Sequence, residues 1–215
     1  MITSRRTLSS LVVLLAVAAL TTVGLAGSPA INAKPSPTAA PAAFTSEEAI
    51  TQITDADGTI RFEVAEDGSR FTWNGEPALT DGLPAQDATY ITQGYIYPEG
   101  TLNGSNGVLA DGSPEFPDKV LGQWSCYGWY VGAGVPGQTA PWITTHLFNF
   151  GDTYGEATLV SEGYSIDEME VPMERAIVGG TGDYAGARGI QLETNLGHNP
   201  SKGLDFLYEV RLSPA

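Results

Sequence analysis

Ile177-Val-Gly-Gly-Thr-Gly-Asp-Tyr-Ala-Gly-Ala-Arg-Gly189 runs directly into Ile190-Gln-Leu-Glu-Thr-Asn-Leu196. An apolar strand entering clustered glycines is the layout of a dinucleotide loop, but such a loop must open a helix whose N-terminal amides face a pyrophosphate. Gly186 and Gly189 would interrupt that helix, and Ile190, Leu192, Thr194 and Leu196 then alternate with a period of two. The segment reads as a tight, glycine-supported connection between two strands, and the chain as all-β.

The same period extends outward in both directions. Leu204, Phe206, Tyr208, Val210 and Leu212 share one face of a last strand whose other face carries Asp205, Glu209 and Arg211. Upstream, strand-like runs cover 89–97, 120–131, 142–150, 156–162 and 174–178. Turn signals stand at Asn103-Gly104, Asn106-Gly107, Asp111-Gly112 and Pro136-Gly137. Ile60, Phe62 and Val64, then Phe71 and Trp73 beyond Asp67-Gly68, predict a β-hairpin with a type I′ turn. Ahead of it Thr45-Ser46-Glu47-Glu48 fits a capping box before Ala49, Ile50 and Ile53, predicting one or two helical turns. No helical period is sustained after residue 55, so these many short strands predict a sandwich or a barrel.

Residues 1–33 read as a signal peptide: Arg5 and Arg6, an apolar run from Leu8 to Leu20, then small residues. Ser4-Arg-Arg-Thr-Leu8 suits a twin-arginine signal and also the general secretory route. Ser28 stands where a lipoprotein would need cysteine, so the expectation is a secreted protein with no membrane anchor after cleavage. Residues 34–46, rich in Pro and Ala, read as a disordered linker. The 215-residue chain has a formal charge of -15 and only Lys34, Lys119 and Lys202 as lysines, which argues against nucleic acid as a partner. Its single cysteine, Cys126, excludes an internal disulfide and a Cys-rich zinc site.

Gly179-Gly-Thr-Gly182-x-Tyr184-x-x-Ala187-Arg-Gly189 resembles the GGTG-x-F/Y-x-x-ARG signature of dirigent proteins and is similar to the GGSG-x-F-x-x-x-x-G segment of allene oxide cyclases. Phe148-Asn-Phe-Gly-Asp152-x-Tyr154-Gly155, followed by Val160-Ser-Glu-Gly163, looks like the F-x-FGD-YG strand and turn of the cyclases, and Gly122–Tyr130 occupies the place of an earlier strand. The resemblance covers about residues 88–212 and identifies the chain as a bacterial, exported member of that superfamily. It implies an eight-stranded antiparallel β-barrel over 88–215 with a hydrophobic cavity, often a homotrimer. Residues 47–87 become an N-terminal extension whose hairpin lies outside the barrel, where it could cover a cavity mouth.

The family's catalytic positions are matched poorly. The cyclases carry a glutamate and an asparagine two residues apart on the first barrel strand. The corresponding stretch here, Tyr95-Ile-Tyr-Pro-Glu-Gly100, puts Pro98 and Gly100 at those places and turns Glu99 to the other face unless a bulge forms at Pro98. The family cysteine falls on Gly128, with Cys126 two places earlier on the same face, and of the dirigent set only Arg188 is placed. Cyclase activity in the strict sense is therefore not expected, and the catalytic candidates reduce to Glu99, His146 and Arg188.

If that register holds, Trp124, Cys126, Gly128 and Tyr130 line the interior, and His146 and Phe148 share a face with Trp142 and Phe150. Trp124, Cys126, Tyr130, His146 and Phe148 are then the ligand-binding candidates, against the alternative of ordinary core or subunit-interface packing. His146 reads as an acid-base group or a structural histidine. Cys126 reads as a small buried residue or a reactive thiol, and Arg188 as a carboxylate binder or an ion-pair partner. No metal or cofactor is implied: His146 and His198 lack companions at ligand spacing, and Asp55-x-Asp57-Gly58 matches a calcium loop only loosely. The function expected is binding of a small hydrophobic organic molecule without assured catalysis, the alternative being a cyclase, isomerase or stereo-directing enzyme.

Overall fold

The computed structural model describes residues 42–74, 85–132, 141–166 and 168–214. The expected signal peptide, the expected linker up to residue 41 and the turn expected at Pro136-Gly137 lie outside them. After a helix, α1 (Ser46–Ile53), come nine strands: β1 (Ile60–Glu66), β2 (Thr72–Asn74), β3 (Thr89–Pro98), β4 (Gly122–Tyr130), β5 (Trp142–Phe150), β6 (Ala157–Ser165), β7 (Met173–Thr181), β8 (Gly189–His198) and β9 (Leu204–Leu212). From β3 to β9 each strand pairs antiparallel with the next, and β1 lies between β9 and β3 to close an eight-stranded barrel. Closure leaves those strands no bare edge.

The expected hairpin does not form. β1 and β2 both pair with β3, β1 through Gly94–Pro98 and β2 through Thr89–Ile91. Asp67-Gly68 makes a different turn from the one predicted: the Asp67 carboxylate accepts the Ser69 N–H at 2.9 Å, caps a 3-10 turn over Gly68–Arg70, and pairs with Arg70 Nε at 2.7 Å. The extension expected to lie outside the ring therefore supplies one of its staves, and the barrel begins at Ile60 rather than near residue 88. Only β2 is extra to the ring.

The predicted helix is present, with both halves of its capping box: Thr45 Oγ1 accepts the Glu48 N–H, and Glu48 Oε2 accepts the Thr45 N–H at 3.0 Å. Ala49 and Ile53 seat the helix on the barrel's core. The last linker residues are also held, since the Ala43 N–H donates to the Val120 carbonyl at 2.8 Å and Phe44 packs against the core. Thr45→Ala should cost about 1 kcal/mol, read as a lower urea midpoint with an unchanged slope.

The GGTG segment is the end of β7 and a 3-10 turn, Gly182–Tyr184. Gly182 has φ +57°, and a Cβ there would collide with the Glu156 carbonyl; at Gly180 one would meet the Thr158 carbonyl and the Tyr184 side chain. These glycines let the turn lie against β6 and drop Tyr184 onto Phe150, with ring centroids 5.7 Å apart. On the outside, the connection from β3 to β4 folds over β1 and β3, burying Tyr95, Tyr97, Leu102, Val108 and Val120 in a second, smaller core.

β8 is inverted relative to an ordinary soluble barrel. Gln191, Glu193 and Asn195 are buried beside inward residues of β9, whereas Ile190, Leu192 and Leu196 lie on the other face. The barrel interior thus contains a polar layer.

Candidate functional site

Three layers fill the barrel. The first is aromatic and closed: Phe62 sits edge-on to Phe148 at 5.0 Å and stacks on Tyr208 at 5.4 Å, while Phe148 meets Tyr208 at 4.9 Å. Such ring pairs add to their area burial.

The second layer is polar. Cross-strand register brings Cys126, His146 and Ser161 onto one rung, and Glu193 beside Tyr208. Arg175 is the hub, 2% exposed. Its Nε donates to Ser161 Oγ at 3.1 Å, Nη1 to the Tyr164 carbonyl at 3.0 Å and to Ser165 Oγ at 3.3 Å, and Nη2 to the Thr144 carbonyl at 2.9 Å. Glu193, 3% exposed, lies 3.5 Å from Arg175 Nε and 3.5 Å from His146 Nδ1, and accepts from the Ser165 hydroxyl. His146 contacts Thr144 Oγ1 at 3.2 Å through Nε2 and the Tyr208 hydroxyl at 3.3 Å through Nδ1.

Burial sets the protonation states of this layer. It pushes His146 well below its ordinary value, and the Arg175 charge adds to the shift, so the imidazole is neutral. Burial raises Glu193, with Arg175 and then the Ser165 and Tyr208 hydroxyls opposing. The Cys126 thiol is driven far up by burial and stays protonated, 3.8 Å from the Tyr90 hydroxyl. This is the setting of an inert buried thiol rather than a reactive one.

The third layer is a cavity of about 200 Å³. Trp124, Cys126, His146 and Ser165 contribute to its walls, along with Thr92, Phe206 and the carboxylate of Glu66 at the end of β1. Phe71, Tyr90, Tyr130 and Trp142 form an aromatic rim: Phe71 stacks on Tyr90 at 5.1 Å, and Tyr130 lies 5.4 Å from Trp142. His198, Lys202 and Leu204 complete the lining.

Of the ligand-binding candidates, Trp124, Cys126, Tyr130 and His146 line this cavity, while Phe148 belongs to the closed aromatic layer. Two catalytic candidates are not brought to it. Glu99 is exposed in the turn after β3, and Pro98 pairs with Phe62 in unbroken register, so no bulge turns the glutamate inward. Arg188 is exposed beyond the GGTG turn, and its guanidinium Nη1 donates to the neighbouring Ala187 carbonyl at 2.7 Å. The Asp55-x-Asp57 segment is a turn, with Asp57 Oδ1 accepting the Thr59 N–H at 3.0 Å and Asp55 paired with Arg61. Sequence reasoning missed Glu66, Arg175 and Glu193. The polar alternation of 191, 193 and 195 was visible, but not which face it occupied.

Fold and cavity together define a closed, eight-stranded antiparallel β-barrel with a cavity at one end of its interior. No protein-family model matches the chain, and no curated protein does. Three solved structures are similar to it. The pterocarpan synthase dirigent protein PsPTS1 is 16% identical, with a TM-score of 0.53 over 71% of this chain and 91% of the other. The pterocarpan synthase dirigent protein GePTS1 is 16% identical, with a TM-score of 0.50 over 71% and 84%. A pyocyanin demethylase is 15% identical, with a TM-score of 0.47 over 72% and 99%. At this identity the likeness is one of fold. Among the described residues no helix is long and apolar enough to cross a membrane.

Proposed function

We propose that the chain is an exported barrel that binds a small hydrophobic organic molecule in its aromatic-rimmed cavity. The observation that carries this reading is the cavity itself, inside a closed ring of strands and walled by Trp124, Tyr130, Trp142 and Phe206. Concave sites that combine aromatic walls with a few polar groups are the usual form of a small-molecule site. Binding without chemistry is favoured because the buried polar layer is engaged with itself: both His146 nitrogens and the Arg175 guanidinium already have protein partners. A second reading, an isomerase or cyclase that confines a reactive substrate, draws support from the Glu66 carboxylate in the cavity wall. Exposed Trp129, Ile143 and Tyr164 stand in register across three strands on the outer wall and support self-association, with a trimer as the proposed state.

Native mass spectrometry of the protein purified from its own culture medium tests this. The expected spectrum shows a chain lacking its first ~33 residues, in an oligomer carrying a recurring small extra mass that is lost on denaturation. A bare species that also fails to take up an added aromatic hydrocarbon overturns the binding reading.

A further inference from the structure

We propose that the mouth of the cavity holds an anionic group of the ligand, with the Lys202 ammonium as countercharge and the His198 imidazole as a second hydrogen-bond donor. The ligand is then a one- or two-ring aromatic carboxylate, seated with its rings inward and its carboxylate at the mouth. This rests on the cavity being the ligand site, and it goes further by naming the chemistry recognised there.

Two local features bring these side chains to the mouth. In β8 the register slips between Asn195 and Gly197: Asn195 stands opposite Phe206, Gly197 opposite Asp205 and His198 opposite Leu204. Directly opposed residues share a face. The bulge therefore returns His198 to the inner face with Leu204, and both line the cavity. Glycine is required at 197, where φ is +144° and a Cβ would collide with the Gly104 carbonyl.

Lys202 follows in the turn from β8 to β9, at φ +71°. A residue with a long side chain seldom holds that backbone region without a use for it. The turn is pinned to the barrel: the Asn199 side-chain amide donates to the Glu66 carbonyl at 2.9 Å, the Gly68 N–H to Ser201 Oγ at 2.9 Å, and the Lys202 N–H to the Asn199 carbonyl at 2.9 Å. Lys202 is thereby rooted at the cavity whose lining it joins. Among the described residues no carboxylate pairs with its ammonium, and the His198 side chain is likewise without a partner. The chain's formal charge of -15 does not cancel this cation, because exposed charges beyond about 8 Å are largely screened at physiological ionic strength.

Polarity and size narrow the class. Glu66 shares the lining but is 5% exposed, with Thr92 Oγ1 donating to its Oε1 at 2.6 Å and the Leu204 N–H to its Oε2 at 2.8 Å. A ligand carboxylate pushed inward would meet these acceptor oxygens, whereas at the mouth it meets donors. An apolar cavity of about 150 Å³ takes benzene, so a cavity of about 200 Å³ suits one or two rings.

The test is calorimetric titration of the purified full chain with 2-naphthoate, its neutral isostere 2-naphthamide and the cation 2-naphthylmethylammonium. The naphthoate is expected to bind about tenfold more tightly than the amide, the gain of one charge-assisted hydrogen bond, and to lose most of that preference in about 1 M salt. Lys202→Gln should bring the two within about twofold while leaving 2-naphthamide binding intact, which also reports that the variant is folded. Lys202→Arg should retain the preference, and His198→Phe should weaken the naphthoate severalfold. Equal affinities for naphthoate and naphthamide, a preference undiminished in Lys202→Gln, or tightest binding of the cation would overturn the anion reading and leave the cavity reading standing. Failure of all three probes to bind sinks the cavity reading and this one with it.

Discussion

Arg175→Met is expected to lower the free energy of unfolding by about 3–5 kcal/mol at neutral pH, the cost of removing one partner from a buried ion pair. Arg175 joins three strands: its guanidinium reaches Thr144 on β5, Ser161, Tyr164 and Ser165 on β6, and Glu193 on β8. Methionine fills much of the volume but leaves Glu193 buried without a countercharge and two backbone carbonyls without these donors. Adding Glu193→Gln should restore about half of the loss, because the neutral amide no longer needs the cation. The deficit of the single variant should also shrink as pH falls, since a protonated Glu193 is neutral. Guanidinium unfolding followed by fluorescence at several pH values measures all three. A single variant within about 1 kcal/mol of the parent would show that the guanidinium is not the hub of the interior.

The second large effect is a dependence on pH from the other side of the wall. Asp205 faces outward on β9 beneath the β3–β4 connection, paired in register with Ala65. Its Oδ1 accepts from Asn199 Nδ2 at 3.0 Å, and its Oδ2 is buried. Burial raises its pKa to about 7, and the nearby Glu63 and Glu115 charges add to this, while the Asn199 amide and the Asn106 N–H oppose it. The unfolded chain releases this proton near pH 4. Between about pH 4 and pH 7 the folded protein therefore holds a proton that the unfolded chain has lost. The stabilisation is complete below about pH 4 and fades as pH rises to 7, with a total of about 4 kcal/mol. Glu63 shifts the same way: burial raises it against the N–H groups of Gly100, Thr101 and Leu102, so it adds to the slope. Asp205→Asn should be about 2–4 kcal/mol more stable than the parent at pH 8, with the difference vanishing toward pH 4. Denaturation midpoints for both proteins across that range check it, and a difference that does not vary with pH removes the assignment.

Parts of this structure were legible in the chain because they depend on neighbours. The Thr45 to Glu48 capping box closes within one turn, and the GGTG turn requires glycine for its own backbone. The period of two placed Trp124, Cys126 and Tyr130 on one face of β4, and His146 with Trp142 on one face of β5. Alternation already turned Glu99 to the outer face, and no bulge at Pro98 brings it back. The hairpin failed differently: Asp67-Gly68 does turn the chain, but both arms found a better partner in β3, and turn chemistry does not record which strand a segment will meet.

The residues by themselves determined an all-β chain, its glycine turns, its capped helix and the membership of each strand face. Tertiary structure alone decided that β1 closes the ring against β9 and β3, that the polar face of β8 turns inward, and that Glu66 ends in the cavity wall. Alternation shows that a strand has two unlike faces, and the faces are assigned only when the sheet closes. Arg175 and Glu193 on neighbouring strands then offset each other's desolvation, which makes a polar interior stable.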